Sequence, residues 1–173
     1  MKKNVLVFGL ISGLLISIFM SASMIYASKN PGAEHGTNSM LIGYLSMLIA
    51  FSLIFVAVKT YRDKQNTGVI SFGQALKMGL LIALIGSTMY VLSWALVYNL
   101  YLPDFMDKYA ESMIKHAKPE ELQAITKKAQ EYKEMYKNPL MFTFMTYMEI
   151  LPVGLIVALI TALILKRKKA VVA

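Results

Sequence analysis

Hydrophobic residues are concentrated in four long stretches, and each is long enough to cross a lipid bilayer. The stretches cover residues 5–27, 40–58, 72–102 and 140–165. A transmembrane helix needs about 20 mainly apolar residues, because a helical residue rises about 1.5 Å and the hydrocarbon core is about 30 Å thick. None of the stretches has the apolar/polar alternation that is typical of membrane β-strands. We therefore predict an all-α integral membrane bundle of four transmembrane helices, in a single membrane domain over residues 1–173.

A polar segment, residues 104–137, separates the third stretch from the fourth. Pro119 divides it, and Pro is favoured at the first position of a helix. Apolar residues recur at helical spacing on both sides of Pro119, and these positions are Phe105, Tyr109, Met113, Leu122, Ile125, Ala129, Tyr132 and Tyr136. The pattern predicts a helical hairpin between helices 3 and 4. Its two apolar stripes could pack on each other, lie on the membrane surface or form a groove for a partner.

The start of the third helix has a local signal of its own. Thr67-Gly68 is typical of a loop, and Ser71 is followed three residues later by Gln74. This is the spacing of a capping box, in which two side chains satisfy backbone N–H groups at a helix N-terminus. We predict that the third helix begins directly after Ser71.

Lysine and arginine are distributed unequally over the two sides of the predicted membrane. Ten of them, against the single acid Asp63, lie before the first stretch, around the second connection or after the fourth stretch. They are Lys2, Lys3, Lys59, Arg62, Lys64, Lys77, Lys166, Arg167, Lys168 and Lys169. The other connections carry eight basic and eight acidic residues and are neutral. Because loops rich in Lys and Arg stay in the cytoplasm, both termini are predicted to be cytoplasmic and the hairpin extracytoplasmic.

Aromatic residues agree with this orientation. Many lie near the predicted outer ends of the stretches, as an interfacial belt would, namely Tyr26, Tyr44, Trp94, Tyr98, Tyr101, Phe142, Phe144 and Tyr147. The composition is 57% hydrophobic and 16% charged, which is also typical of a membrane protein. The net charge of +8 does not indicate nucleic-acid binding, because the basic residues lie at membrane ends instead of forming one footprint.

The first stretch has two interpretations. Lys2-Lys3 followed by an apolar run and small residues could be a cleavable signal peptide. However, Gly9, Gly13 and Ser17 recur at every fourth position, which is the pattern of a helix-packing face in membranes. The fourth stretch has a comparable stripe from Gly154, and the third has one from Gly79. We therefore expect an integral span in a compact bundle, although such stripes could also mediate self-association.

Several segments resemble the bacterial membrane proteins grouped as domain of unknown function 4199. The likeness is carried by Lys59-Thr60-Tyr61-Arg62-Asp63-Lys64, by Gly68-Val69-Ile70-Ser71-Phe72-Gly73-Gln74-Ala75-Leu76-Lys77-Met78-Gly79, by Pro103-Asp104-Phe105 and by Gly154-Leu155-Ile156. It extends over nearly the whole chain. The resemblance implies a four-span inner-membrane protein with an external hairpin. It implies no activity, because the family is itself uncharacterised.

Glu149 is the residue that most suggests chemistry, because a carboxyl inside a span is costly and is by default a functional-site hypothesis. Pro152, three residues later, removes a helical hydrogen bond and leaves the Met148 carbonyl without its usual donor. Counting depth along the other helices brings Tyr90, Ser17 and Ser46, with Ser21 and Ser93, to a comparable level. One hypothesis is a cation or proton site in a small transporter or channel. The alternative is that Glu149 only fixes helix register or reaches the outer headgroups.

Other chemistries have weaker support in the sequence. The chain has no Cys, which excludes disulfides and thiolate metal sites. Its 13 Met could provide soft ligands for copper(I), on Met141, Met145 and Met148 or on Met20 and Met24, but Met is more often a flexible core filler. Two isolated histidines, His35 and His116, do not require a metal. We expect no cofactor, no bound metal and no catalytic residues.

The expected function is therefore a non-enzymatic interaction, assembly or sensing role, exerted through the external hairpin or the helix faces. The candidate partners are the lipid bilayer, a second copy of the chain, and a membrane or envelope protein. A small ion- or proton-coupled transporter or channel that uses Glu149 is the alternative. The two classes differ in whether a polar, water-accessible path reaches Glu149.

Overall fold

The computed structural model describes residues 1–30 and 37–167, with side chains in the second range described from Met40 onward. His35, Glu34, Lys168 and Lys169 lie outside the described residues. The helices are α1 (Lys2–Lys29), α2 (Thr37–Phe51), α3 (Leu53–Gln65), α4 (Phe72–Tyr101), α5 (Phe105–Lys115), α6 (Leu122–Lys137) and α7 (Pro139–Leu165). A short 3₁₀ turn, Pro119–Glu121, precedes α6, so Pro119 occupies a first helical position as predicted.

Four of the helical segments are long and apolar enough to span a membrane: Lys2–Lys29, Met40–Gln65, Phe72–Tyr101 and Pro139–Leu165. The predicted all-α class is confirmed, since the regular elements in the described ranges are helices, apart from one isolated bridge between Ile70 and Arg167. The second span consists of α2 and α3, which meet at Ser52. There the Phe55 N–H bonds to the Ser52 carbonyl, three residues back, instead of to the residue four back. The helix tightens locally at this point but continues.

Small residues bring three of the spans into close contact. A Cβ atom added at Gly79 of α4 would lie 2.7 Å from the Cβ of Ala158 on α7, and one added at Gly154 of α7 would lie 2.7 Å from the Cβ of Ala83. Further along α4, a Cβ at Gly13 of α1 would lie 3.1 Å from the Gly86 Cα. The predicted small-residue stripes therefore pack within the chain, where they let the helix backbones approach.

The centre of the bundle is filled by large apolar side chains. Phe51 lies at the junction of α2 and α3 and has no exposed surface. Its ring fills the space beside Gly86 and Gly154, so that it lies between α4 and α7. Ile54, Ile82 and Ile150 are also completely buried. The second, third and fourth spans thus meet around a dense apolar core.

The start of α1 and the end of α7 lie at the same end of the bundle, which we call the basic end and define by Lys2, Gln65, Phe72 and Leu165. The N-terminal amine donates to Gln65 Oε1 at 3.4 Å, and Gln65 Nε2 donates to Asn4 Oδ1 at 3.0 Å. Arg62 Nη1 donates to the Leu165 carbonyl at the C-terminus of α7 at 3.3 Å. Side chains from α1 and α3 and the end of α7 therefore hold the basic end together.

The predicted start of the third helix is confirmed. The Gln74 N–H donates to Ser71 Oγ at 3.2 Å, and the Ser71 N–H donates to Gln74 Oε1 at 3.3 Å, which completes the capping box. The loop before it turns through Thr67 and Gly68, both with positive φ. Glycine takes this backbone conformation without steric cost.

At the opposite end, α5 and α6 pack against each other and α6 also contacts α7. Met106 and Ala110 of α5 and Ala129 of α6 are buried, and Lys133 forms an ion pair with Asp107 across the two helices. The two apolar stripes of the segment thus face each other in part. Aromatic rings join this pair to the spans: Trp94 lies edge-on to Phe105 at 5.1 Å, and Tyr98 lies 5.3 Å from Phe142 and 5.8 Å from Tyr136.

Candidate intramembrane polar site

Glu149 of α7 lies next to Tyr90 of α4. The Tyr90 hydroxyl donates to Glu149 Oε1 at 3.4 Å, which is a long hydrogen bond. Glu149 lies ten positions after Pro139, so its backbone is about 15 Å along α7 from the hairpin end. The structure thus brings together two of the residues that the sequence placed at a comparable depth.

Glu149 does not lie in the centre of the bundle. Its side chain is exposed at the surface of the chain, whereas Tyr90 is buried with only 5% of its surface exposed. Neighbouring helix positions differ by about 100° around the axis, and Ile150, the next residue, points into the core. Glu149 therefore lies on the flank of α7, where one side meets Tyr90 and the other is open.

The remaining residues of the predicted site do not converge on the carboxyl. The Ser46 hydroxyl donates to the Gly43 carbonyl of its own helix at 2.6 Å. Ser17 is buried in α1, and its hydroxyl has no hydrogen-bond partner among the described residues. Pro152 lies inside α7, which continues through it to Leu165. Like that of Ser17, the buried hydroxyls of Ser12 and Ser87 have no hydrogen-bond partner among the described residues.

A second polar contact joins α4 and α7 at almost the same depth. Thr88 Oγ1 lies 2.8 Å from the Tyr147 hydroxyl, and it also donates to the Leu84 carbonyl at 2.8 Å. Thr88 and Tyr90 are two positions apart on α4, and Tyr147 and Glu149 are two positions apart on α7. Because two positions turn through about 200° around a helix, the two residues on each helix lie on nearly opposite faces. The two contacts therefore bracket the α4–α7 interface.

Tyrosines of the hairpin also approach this region, which the sequence did not predict. Burial and then the charge of Glu149 raise the pKa of Tyr136 in α6 to about 12. Burial, with Tyr132 and Glu149 as further causes, raises the pKa of Tyr109 in α5. Both hydroxyls are therefore within electrostatic range of the intramembrane carboxyl. The helical spacing of Tyr109 and Tyr136 indicated their apolar stripes but not their electrostatic interaction with Glu149.

The surroundings of the candidate metal ligands can be described for the residues in the two ranges. Within the described ranges, no three His, Asp or Glu side chains are grouped closely enough to hold a metal ion. His116 Nδ1 lies 2.9 Å from the Ser112 carbonyl at the end of α5. Met141 and Met148 point outward from α7, with about half of each side chain exposed, whereas Met20 of α1 is buried.

The four spans and the carboxyl at mid-helix define a multi-pass helical membrane protein. The sequence profile described as "Protein of unknown function (DUF4199)" matches residues 7–167, and the chain belongs to this family. No curated protein matches the chain, and no solved structure does. The family prediction made from the Ile70–Ala75 region is confirmed.

Proposed function

We propose that the protein is a non-enzymatic interaction protein of a bacterial cytoplasmic membrane, which binds another membrane or envelope protein through its α5–α6 hairpin. In this proposal both termini are cytoplasmic and the hairpin is extracytoplasmic, because the basic end carries the excess of Lys and Arg. The observation that carries the proposal is the contrast between a filled bundle and a charged, exposed hairpin.

The filled bundle argues against a transport role. Transport requires a polar path in which water or hydroxyl groups replace the hydration of the moving ion. Here Phe51, Ile54 and Ile82, all fully buried, occupy the centre of the spans. Glu149 opens to the outside of the bundle and not to an internal path.

The hairpin suits a protein partner better than the lipid surface. The outward side of α6 carries charges of both signs, including Lys127, Glu131 and Glu134, together with Gln130. A helix that lies in the membrane surface needs a broad apolar face turned to the lipid. In this hairpin, the apolar residues Met106, Ala110 and Ala129 are instead covered within the α5–α6 pair.

Site-specific photo-crosslinking in native membranes tests this role. A benzophenone amino acid at Lys127, on the outward side of α6, is expected to give one discrete crosslinked product whose partner mass spectrometry identifies. The matched variant combines Glu131→Ala with the same crosslinker at Lys127. The substitution should reduce the yield of the crosslinked product if this face makes the contact. A Lys127 crosslinker that yields no product in membranes containing the natural level of the protein would contradict the proposal.

A small ion- or proton-coupled transporter is the second candidate, and the contact between Tyr90 and Glu149 is the observation that favours it. Intramembrane carboxyls with hydroxyl partners occur on ion and proton pathways. Purified protein in proteoliposomes would then show an ion or proton flux that Glu149→Gln abolishes and that Glu131→Gln leaves unchanged. The absence of flux from the unmodified chain would exclude this candidate.

A further inference from the structure

The outward side of α6 is an open and mainly polar surface. Lys127, Glu131 and Glu134 are spaced by four and three positions and Gln130 lies beside them, so all four are on one side of the helix. All four side chains are exposed. Six residues line the groove on this side, and we call them the α6 face: Thr126, Lys127, Gln130, Glu131, Glu134 and Met135.

The α6 face has charges that the rest of the chain does not use. In the part of the chain that the structure describes, neither Lys127 nor Glu131 is in an ion pair. The other lysines of α6 have partners within the chain, namely Lys128 over the Tyr132 ring, Lys133 with Asp107 and Lys137 with Glu134. Glu134 accepts from Gln130 and Lys137 with Oε1, which leaves Oε2 for a further donor. These groups are therefore available to a partner.

The α6 face is complementary to itself when two copies of α6 lie antiparallel. A two-fold axis that passes between Gln130 and Glu131 puts Lys127 opposite Glu134 of the second copy and Gln130 opposite Glu131 of the second copy. A parallel pair would instead put each charged residue opposite itself, and like charges at such positions repel. The order of charges along α6 thus fits a second copy in one direction.

We propose that the α6 face binds the α6 face of a second copy of the chain, antiparallel and about this two-fold axis. The inference rests on the proposed interaction role and names its partner, since a second copy is itself a membrane protein. Lys127 of each copy pairs with Glu134 of the other. Exposed ion pairs are individually weak and are screened by salt, so we expect a weak dimer that depends on ionic strength.

The course of the hairpin is compatible with a dimer in one membrane. Two copies in one bilayer have the same orientation, so their two-fold axis is parallel to the membrane normal and α6 has to run across the end of the bundle. Phe105 of α5 lies edge-on to Trp94, which is seven positions before the end of α4. Helix α5 therefore turns back after Pro103 instead of extending α4, and α6 packs beside α5.

Cysteine crosslinking in native membranes tests the position of the axis, because the chain has no Cys of its own. Gln130→Cys places a thiol beside the two-fold axis, and a short bismaleimide should join two chains there. Gln123→Cys is the matched control, since Gln123 is also exposed on α6. Its counterpart in the second copy would lie about 22 Å away along the helix pair, at about 1.5 Å per residue, so it should give little product.

Charge reversal in the Gln130→Cys background tests the pairing. Lys127→Glu and Glu134→Lys should each lower the crosslinked fraction about tenfold, because contacts between opposite charges become contacts between like charges. Co-expression of the two reversed chains should restore the product, since both positions are then acidic in one chain and basic in the other. Restoration would also show that both variants fold. Lys118→Glu makes the same change of charge before α6 and should have no effect.

The photo-crosslink from Lys127 distinguishes this inference from the interaction role. A product with the mass of two chains supports both, whereas a product that contains a different protein keeps the interaction role and overturns the second-copy assignment. The assignment is also overturned if Gln130→Cys gives no more product than Gln123→Cys, or if co-expression of the reversed chains does not restore the product. Raising the salt concentration from about 0.05 M to about 0.5 M should lower the yield, and an unchanged yield would contradict pairing by charge.

Discussion

Gly79 lies at a close approach between α4 and α7. A Cβ at this position would lie 2.7 Å from the Ala158 Cβ and 3.0 Å from the Ala158 Cα, so backbone atoms would have to move. Overpacking of this kind typically costs about 1–3 kcal/mol. We expect Gly79→Val to lower the free energy of unfolding by at least this amount, measured by SDS titration in mixed micelles with Trp94 fluorescence as the signal.

Gly73 is the matched control on the same helix. Apart from its chain neighbours and the adjacent helix backbone, no atom of the described residues lies within 4 Å of the position that its Cβ would take. Alanine is more favourable than glycine inside a helix by about 0.5–1 kcal/mol, so Gly73→Ala should leave the bundle equally stable or slightly more stable. If Gly79→Val were as stable as Gly73→Ala, close packing would not be what holds α4 against α7.

Tyr136 provides a prediction about pH. Its pKa is raised to about 12 in the folded protein, while an unfolded tyrosine has a pKa of about 10. Between these values the folded state holds a proton that the unfolded state has lost, so stability is full below about pH 10 and falls towards pH 12. The difference in absorbance at 295 nm between the unmodified chain and Tyr136→Phe should titrate near pH 12. A midpoint near pH 10 would show that Tyr136 is not held in a buried site next to Glu149.

At the scale of single residues, the sequence identified Glu149 but not the residues that surround it. A carboxyl in an apolar stretch is visible without a structure, and counting along helices put Tyr90 at a comparable level. The exposure of Glu149 was not predictable, because it depends on which flank of α7 faces α4. Tyr109 and Tyr136 belong to α5 and α6. The position of these two helices over the spans depends on packing between aromatic rings that are distant in the sequence, namely Trp94, Tyr98, Phe105 and Phe142, and no local sequence pattern predicts it.

Among the elements, α4 has the best-defined beginning. Its capping box satisfies backbone N–H groups that would otherwise lack partners at the helix N-terminus. Ser71→Ala removes the acceptor for the Gln74 N–H and should lower the free energy of unfolding by about 1 kcal/mol. The same SDS titration measures it.

Ser28→Ala serves as the control for the loss of a serine hydroxyl. Ser28 is exposed in the last turn of α1 and donates to the Ile25 carbonyl three residues back. Its replacement should change stability by less than about 0.5 kcal/mol, as is usual for surface sites. Equal effects of the two substitutions would mean that the capping box contributes nothing to α4.

Element boundaries were predictable where side-chain chemistry sets them. The start of α4 follows from Ser71 and Gln74, and the start of the segment before α6 follows from Pro119. The second span was predicted to end at residue 58, but helix α3 continues to Gln65. Hydropathy marks the limit of the apolar stretch and not the limit of the helix, which extends into the polar phase until Thr67 and Gly68 turn the chain. The irregularity at Ser52 was not predictable, because no Pro or Gly marks this position in the sequence.

For the whole molecule, the structure places the start of α1, the end of α3 and the end of α7 together. The contacts of Met1 with Gln65 and of Arg62 with Leu165 bring them to one end of the bundle. An even number of spans requires this arrangement. Which side of the membrane that end faces depends on charge, because Lys and Arg resist translocation.

The absence of Cys makes this orientation directly measurable with single engineered cysteines. Gln123 is exposed on α6, so Gln123→Cys should react with a membrane-impermeant maleimide in intact cells. Thr67 lies in the loop at the basic end and already has φ of 54°, so exchange for the unbranched cysteine adds no strain. Thr67→Cys should react only after the cells are permeabilised. The reverse pattern would place the hairpin in the cytoplasm, where an envelope protein could not be its partner.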